Sequence, residues 1–213
     1  MDNDNSDNSD NNDNNDNKVI QTNNSFLKKF NLSSIPDCEI TQELMTKCVI
    51  DIEDKLDIRP PIKIYDKIVN QRRDVGFFSD KSIGYYYSRQ LAKSKPMTLN
   101  LDLLLKLINN MFGSKFNGIL INRYCSGEEY IGAHSDDEKN LNNTGVVAIS
   151  YGGKRIFRIR NKNTKEIFQD IPISNLDLIH MGGDFQKEFT HEIPATKKLV
   201  DIRYSFTFRH HKI

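Results

Sequence analysis

A histidine and an aspartate stand two residues apart at the end of the stretch Asn122-Arg-Tyr-Cys-Ser-Gly-Glu-Glu-Tyr-Ile-Gly-Ala-His134-Ser-Asp136. On an extended segment, side chains at i and i+2 project to the same side. An imidazole nitrogen and a carboxylate oxygen placed this way can share a metal ion, and a second histidine completes a facial set of two His and one carboxylate. Such a set holds Fe(II) on one face and leaves three positions open for co-substrate and oxygen. The candidate third ligand is His191, in the run GGDFQKEFTHEIP, at the apparent start of another strand. The closing run DIRYSFTFRH adds Arg203 and Arg209, whose forked guanidinium groups suit the carboxylates of a dicarboxylic acid. Thr207 shares their face by the period-two alternation of a strand. Taken singly, His-x-Asp, a lone histidine and paired arginines are commonplace. Their combination, in this order and among strands, points to one site.

The elements that must position these residues are short runs rich in Ile, Val, Phe and Tyr, separated by Gly, Asn, Asp and Lys: GILINRY, VVAISY, RIFRIR, EIFQDI, DLIHM and DIRYSFTFRH. They read as an all-β unit that a barrel, a jelly roll or a sandwich would satisfy. Before it, Leu99, Leu103, Leu104, Leu107, Ile108 and Met111 recur at helical spacing and Gly113 follows as a C-terminal cap, which predicts a helix packed on the sheet. Residues 37–56 also suit a helix, a buttress outside the catalytic core, and Pro60-Pro61 interrupts any regular element after it.

Composition narrows the class. A chain of 213 residues suits one domain with extensions. The first 17 residues hold six Asp, eight Asn and two Ser after Met1 and offer nothing to offset the entropy of ordering. The formal charge is +1, with 30 basic and 29 acidic residues; without those six Asp, 23 acidic residues face 30 basic ones, a surplus that suits a phosphate backbone. Cys38, Cys48 and Cys125 are too scattered for a disulfide framework, and no CxxC pair is present. With no apolar run long enough to cross a bilayer and an acidic start unlike a signal peptide, an intracellular soluble protein of cytoplasm or nucleus is expected, without a membrane partner.

The run LINRY followed by Gly127, Ile131 and His-x-Asp-x-Glu, a Gly-Gly segment leading into His-x-x-Pro, and RYSFTFR together resemble the AlkB family of nucleic-acid demethylases, as does GYYYS at residues 84–88. The likeness covers about residues 70–211. It implies an α+β fold with a double-stranded β-helix (jelly-roll) core buttressed by helices, and an Fe(II)- and 2-oxoglutarate-dependent dioxygenase. The implied reaction uses O2 to remove the methyl group of a base such as 1-methyladenine or 3-methylcytosine in DNA or RNA, yielding succinate and formaldehyde. By the resemblance, His134, Asp136 and His191 are the iron ligands and Asn122 and Tyr124 hydrogen-bond 2-oxoglutarate. Arg203 takes its distal carboxylate and Arg209 the one next to the iron, with Ser205 and Thr207 beside them. Ser205 stands where the family often has Asn; its hydroxyl reaches less far, which would weaken co-substrate binding without abolishing function. The resemblance also implies a base pocket of Tyr85, Tyr87 and Glu138 with His191 beneath the base. Arg72, Arg73 and the FFSDKSIGYYY segment would form a lid over the nucleotide.

The expected organisation is an Asn/Asp-rich acidic tail over residues 1–25, an extension packing on the core over 26–69, and a dioxygenase domain with its recognition lid over 70–213, acting as a monomer on methylated DNA or RNA. Three other readings compete. They are an Fe(II)/2-oxoglutarate hydroxylase of a protein or small molecule, a non-catalytic nucleic-acid-binding module that kept the fold, and a plain OB-like barrel, which leaves the histidines and arginines unexplained.

Overall fold

Alternation along the strands sorts the apolar residues onto two faces of one large sheet, and each face is covered differently. The structure, a computed structural model, describes residues 18–64, 66–87, 90–137 and 145–211. Its main sheet has seven strands: β1 (Lys18–Gln21), β2 (Ser25–Asn31), β13 (Asp177–Gly183), β10 (Val146–Gly152), β15 (Arg203–Arg209), β8 (Gly118–Tyr124) and β5 (Asp74–Phe78), in that spatial order. A second sheet places β12 (Ile167–Ile173), β11 (Arg155–Asn161), β14 (Phe189–Ile193) and β9 (Ile131–His134) side by side. Two hairpins complete the strands, β3 (Pro61–Ile64) with β4 (Lys67–Asn70) and β6 (Gly84–Tyr87) with β7 (Gln90–Lys93). The two-sheet, mostly antiparallel arrangement is consistent with a jelly roll, and every apolar run singled out in the sequence forms a strand.

The outer face of the main sheet carries Ile119 and Ile121, Val147 and Ile149, and Phe206 and Phe208. These residues share one buried cluster with Leu44, Met45, Cys48 and Ile52 of α1 (Gln42–Ile52) and Leu101, Leu104 and Ile108 of α2 (Leu99–Phe112). Each helix begins at a threonine whose hydroxyl accepts a backbone N–H that the first turn leaves over, Thr41 from Leu44 and Thr98 from Leu101. α2 ends at Gly113, whose φ of 56° is the left-handed conformation that only glycine adopts without strain. The inner face meets the second sheet through Ile179, Met181, Phe157, Ile159, Ile171 and Phe189, closed at one end by the short α3 (Phe185–Glu188).

The N-terminal boundary differs from expectation. Residues 18–31, placed by the sequence reading partly in a tail and partly in an extension, form β1 and β2, and β2 pairs with β13 along seven positions from Ser25–Gly183 to Asn31–Asp177. Leu27 is fully buried, so this segment covers apolar surface that β13 would otherwise leave exposed. Residues 1–17 lie outside the described residues.

At the end of β15 the chain buries His211 completely, stacked on Phe77 at 4.9 Å between ring centroids and bonded through Nδ1 to the Ser82 hydroxyl at 2.8 Å. Burial, then the neighbouring Arg209 charge, push its pKa down to about 4. The unfolded chain therefore takes this proton first, so the stability is complete above the ordinary histidine range and is lost as pH falls from about 6.5 towards 4. In denaturant titrations from pH 7 to 4, His211→Gln is expected to flatten the fall in unfolding free energy by up to about 3 kcal/mol. Superimposable slopes for the two proteins would show that His211 does not carry this dependence.

Candidate active site

The inner face of β15 is built by register. Ser205 lies opposite Asn122 on β8 and Ser150 on β10; Arg203 lies opposite Tyr124 and Gly152, and Thr207 opposite Leu120 and Ala148. Because alternate residues share a face, Arg203, Ser205, Thr207 and Arg209 all line one cavity between the sheets, joined there by Asn122 and Tyr124. The opposite wall belongs to the second sheet, where β14 and β9 set His191 directly across from His134, with ring centroids 4.4 Å apart. His191 is the middle residue of β14 rather than its start.

Beyond His134 the strand ends and the chain is held by side chains. The Asp136 N–H donates to Gln186 Oε1 at 2.8 Å and the Ser135 hydroxyl to the Phe189 carbonyl at 2.9 Å. Asp136 is thereby aimed between the two histidines, 3.9 Å from His134 Nε2 and 3.6 Å from His191 Nε2, and the three ligand atoms lie within 4.8 Å of one another. His134 Nδ1 is 2.9 Å from the Gly132 carbonyl. A carbonyl only accepts, so Nδ1 carries the proton and the Nε2 lone pair faces the metal position.

Electrostatics prepare the same donor set. Burial lowers both histidines, His191 to about 3 with His134 adding to the effect, so the imidazoles are neutral at neutral pH. Burial alone would raise the Asp136 carboxyl, but Arg209, followed by the two histidines, holds it below the usual range. Arg209 donates directly to Asp136 Oδ1, and both side chains are 2% exposed. Two neutral imidazoles and one carboxylate are what Fe(II) requires.

A second requirement, for an acid, shows at Arg203. It is buried, its Nε donates to the Ser150 hydroxyl at 2.9 Å, and its Nη1 has no hydrogen-bond partner among the described residues. Burial brings its pKa down to about 10, which leaves it cationic at neutral pH. A buried cation with an unsatisfied N–H is costly unless an anion meets it. The distal carboxylate of a dicarboxylic acid lying along β15 would do so.

The comparisons agree with this geometry. The model of the 2OG-Fe(II) oxygenase superfamily matches residues 38–209. The chain belongs to this superfamily. Members of this superfamily are named for Fe(II) and 2-oxoglutarate, and His134, Asp136 and His191 form here a triad that could hold such a metal ion. Its curated relatives include proteins of the AlkB type. DNA oxidative demethylase ALKBH2 of Bos taurus is 28% identical over 156 residues, covering 70% of this chain and 56% of that protein. The alpha-ketoglutarate-dependent dioxygenase alkB homolog 3 of Bos taurus is 31% identical over 135 residues, 59% of this chain and 47% of the relative. The chain thus spans about half the length of these curated relatives. The solved structure of OsALKBH1 superposes with a TM-score of 0.57 at 14% identity, covering 86% of this chain and 97% of that one, a likeness of fold.

The residues expected in a base pocket are distributed less evenly in this oxygenase. Tyr85 is buried, 3% exposed, with the Arg209 guanidinium 4.6 Å from its ring centroid, so it reaches the site as a stacking partner of that arginine. Tyr87 lies on β6, and Glu138 lies outside the described residues. Of the two lid arginines, Arg72 is exposed and Arg73 is buried beside Asn122. Four residues absent from the sequence reading support the site. Ser150 holds Arg203, Gln186 holds the Asp136 backbone, and Phe157 stacks on His191 at 5.1 Å. Arg155, 5.5 Å from the Tyr124 ring, bonds the Glu129 and Pro194 carbonyls at 2.6 and 2.9 Å, tying the approach to β9 to the end of β14. Alternation in VVAISY could have put Ser150 on the inner face; nothing local marks Gln186 or Arg155.

Removing the His191 imidazole should lower Mn(II) affinity, measured by calorimetry, more than the roughly 10-fold to 100-fold that loss of an outer-shell partner costs. Gln186→Ala should fall within that smaller range, and equal losses in the two variants would contradict the ligand assignment.

Proposed function

We propose that this chain oxidatively demethylates N-alkylated nucleobases of the 1-methyladenine and 3-methylcytosine type in DNA or RNA, with 2-oxoglutarate as co-substrate. The observation that carries the reading is the meeting, in one cavity, of the His134, Asp136 and His191 triad with two arginines on one strand face. ALKBH2, a DNA oxidative demethylase by name, supports the substrate class.

Fe(II), 2-oxoglutarate and oxygen together supply the oxidation: one oxygen atom enters succinate as carbon dioxide leaves, and the other converts the N-methyl C–H to C–OH, which departs as formaldehyde. The chain's own residues bind and orient. Arg203, steadied by Ser150, takes the distal carboxylate, and Arg209 takes the carboxylate nearest the metal while keeping Asp136 ionised. Asn122 and Tyr124 hydrogen-bond the co-substrate, and Ser205 and Thr207 line its path. His191, backed by Phe157, presents an apolar ring edge that excludes water from the reacting carbon.

A groove of about 950 Å³ runs from the β3–β4 hairpin to β9 and ends at Gly132 and Ala133, next to His134. It is edged by Arg59 and Arg72 and by Ile64, Ile68 and Tyr130, a mixture of cations and apolar side chains that suits phosphates and unstacked bases. The resemblance would add Tyr85, Tyr87 and Glu138 to the base pocket, Glu138 lying outside the described residues.

Oligonucleotides carrying either lesion, single- and double-stranded, DNA and RNA, should lose one methylene mass on incubation with Fe(II), 2-oxoglutarate and air. His134→Ala should abolish the change, Arg203→Ala should raise the KM for 2-oxoglutarate by about 10-fold to 100-fold, and Ser150→Ala by about fivefold. Succinate formed without any change in the oligonucleotides would transfer the activity to a protein or small-molecule substrate. Absence of succinate would leave a nucleic-acid-binding module.

A further inference from the structure

Arg73 stands immediately before β5 and is 3% exposed, whereas its neighbour Arg72 is exposed. The β5–β8 register puts Asp74 opposite Arg123 and Val75 opposite Asn122, so strand alternation carries the Arg73 side chain to the inner face. There its Nε donates to Asn122 Oδ1 at 2.6 Å. Asn122 is itself 5% exposed and lines the cavity with Arg203, Ser205 and Arg209.

We propose that Arg73 is a positioning residue of the co-substrate site: it fixes the Asn122 amide so that its NH2 group, and not its oxygen, faces the bound carboxylate. This rests on 2-oxoglutarate occupying the cavity as described above. The two ends of an asparagine amide are nearly isosteric, yet one attracts an anion and the other repels it, so the flip decides the sign of the contact. A guanidinium offers only donors, so the amide oxygen must turn to Arg73 and the NH2 is directed to the opposite side. The bond is charge-assisted and shielded from water, which makes it strong for its kind. Arg73 also borders the outer groove, so direct contact with nucleic acid is the competing role.

The test is calorimetric titration of 2-oxoglutarate into the full-length Mn(II)-loaded chain, with fluorescence anisotropy of a methylated oligonucleotide on the same samples. Arg73→Met should weaken 2-oxoglutarate binding about 10-fold, and Arg73→Lys less, while oligonucleotide affinity stays within about twofold. Combined with Asn122→Ala, Arg73→Met should add nothing further, because its effect passes through Asn122. Asn122→Asp keeps an acceptor for Arg73 but turns an acceptor to the ligand, and should lose at least about 10-fold even if Arg73→Met fails to fold. Oligonucleotide affinity falling while 2-oxoglutarate binding holds would overturn the proposal in favour of a nucleic-acid contact. Additive losses in the double variant would overturn the route through Asn122. A wild-type chain that binds no 2-oxoglutarate would remove the cavity reading and this proposal with it.

Discussion

The ion pair between Arg209 and Asp136 joins the two halves of this molecule. Arg209 closes β15 in the main sheet, and Asp136 stands two residues beyond the end of β9 in the second, so one bond ties the sheets together at the candidate site. Burying both charges is expensive, and a buried pair is stabilising only when its remaining valences are met. Here the Tyr85 ring lies over the guanidinium and two imidazoles lie beside the carboxylate, while the Gln186 amide oxygen holds the Asp136 backbone N–H, so the pair is kept for the site it shapes more than for the stability it adds. The pair also settles the protonation of the site. Without the arginine, burial would favour a protonated Asp136, which could not serve as a ligand.

From that constraint follows the division of labour along β15. One set of alternate residues, Phe206 and Phe208 with Tyr204, packs against α1 and α2, and the other set, Arg203, Ser205, Thr207 and Arg209, faces the cavity. A strand so loaded cannot slip by one residue, because every arginine would move into the apolar cluster and every phenylalanine into the site. The fully buried Phe206 and Phe208 therefore act as register pins for the arginines.

Much of this was legible in the sequence because it depends on period two. The His-x-Asp pair, the shared face of the arginines and Thr207, and the runs that become β8, β10, β11, β12, β13 and β15 all follow from alternation or from β-rich composition. What was not legible depends on distance in the chain. The assignment of residues 18–31 to β1 and β2 required knowing that β13 has an unsatisfied edge. Gln186 serves Asp136 from fifty residues away, and Arg155 bonds carbonyls on both sides of it in sequence, at Glu129 and Pro194. Arg72 and Arg73 look alike as letters, and only pairing of β5 with β8 separates the exposed one from the buried one.

The two cavity arginines are not equivalent, and in the proposed function the difference would divide the binding energy of the co-substrate. Arg209 already has a carboxylate, so an incoming anion shares its charge with Asp136 and gains less from it. Arg203 has a hydroxyl and an aromatic ring but no carboxylate among the described residues, so its full charge is available. In the proposed reading, the end of a dicarboxylate remote from the metal site would be the end that the protein holds more tightly, through Arg203, while His134, Asp136 and His191 would hold the metal that meets the reacting end. Anchoring at a distance is how binding energy positions a reacting centre without over-stabilising it. In that reading the same asymmetry couples ligand to fold: a dicarboxylate that pairs with the buried Arg203 cation would also stabilise the folded state.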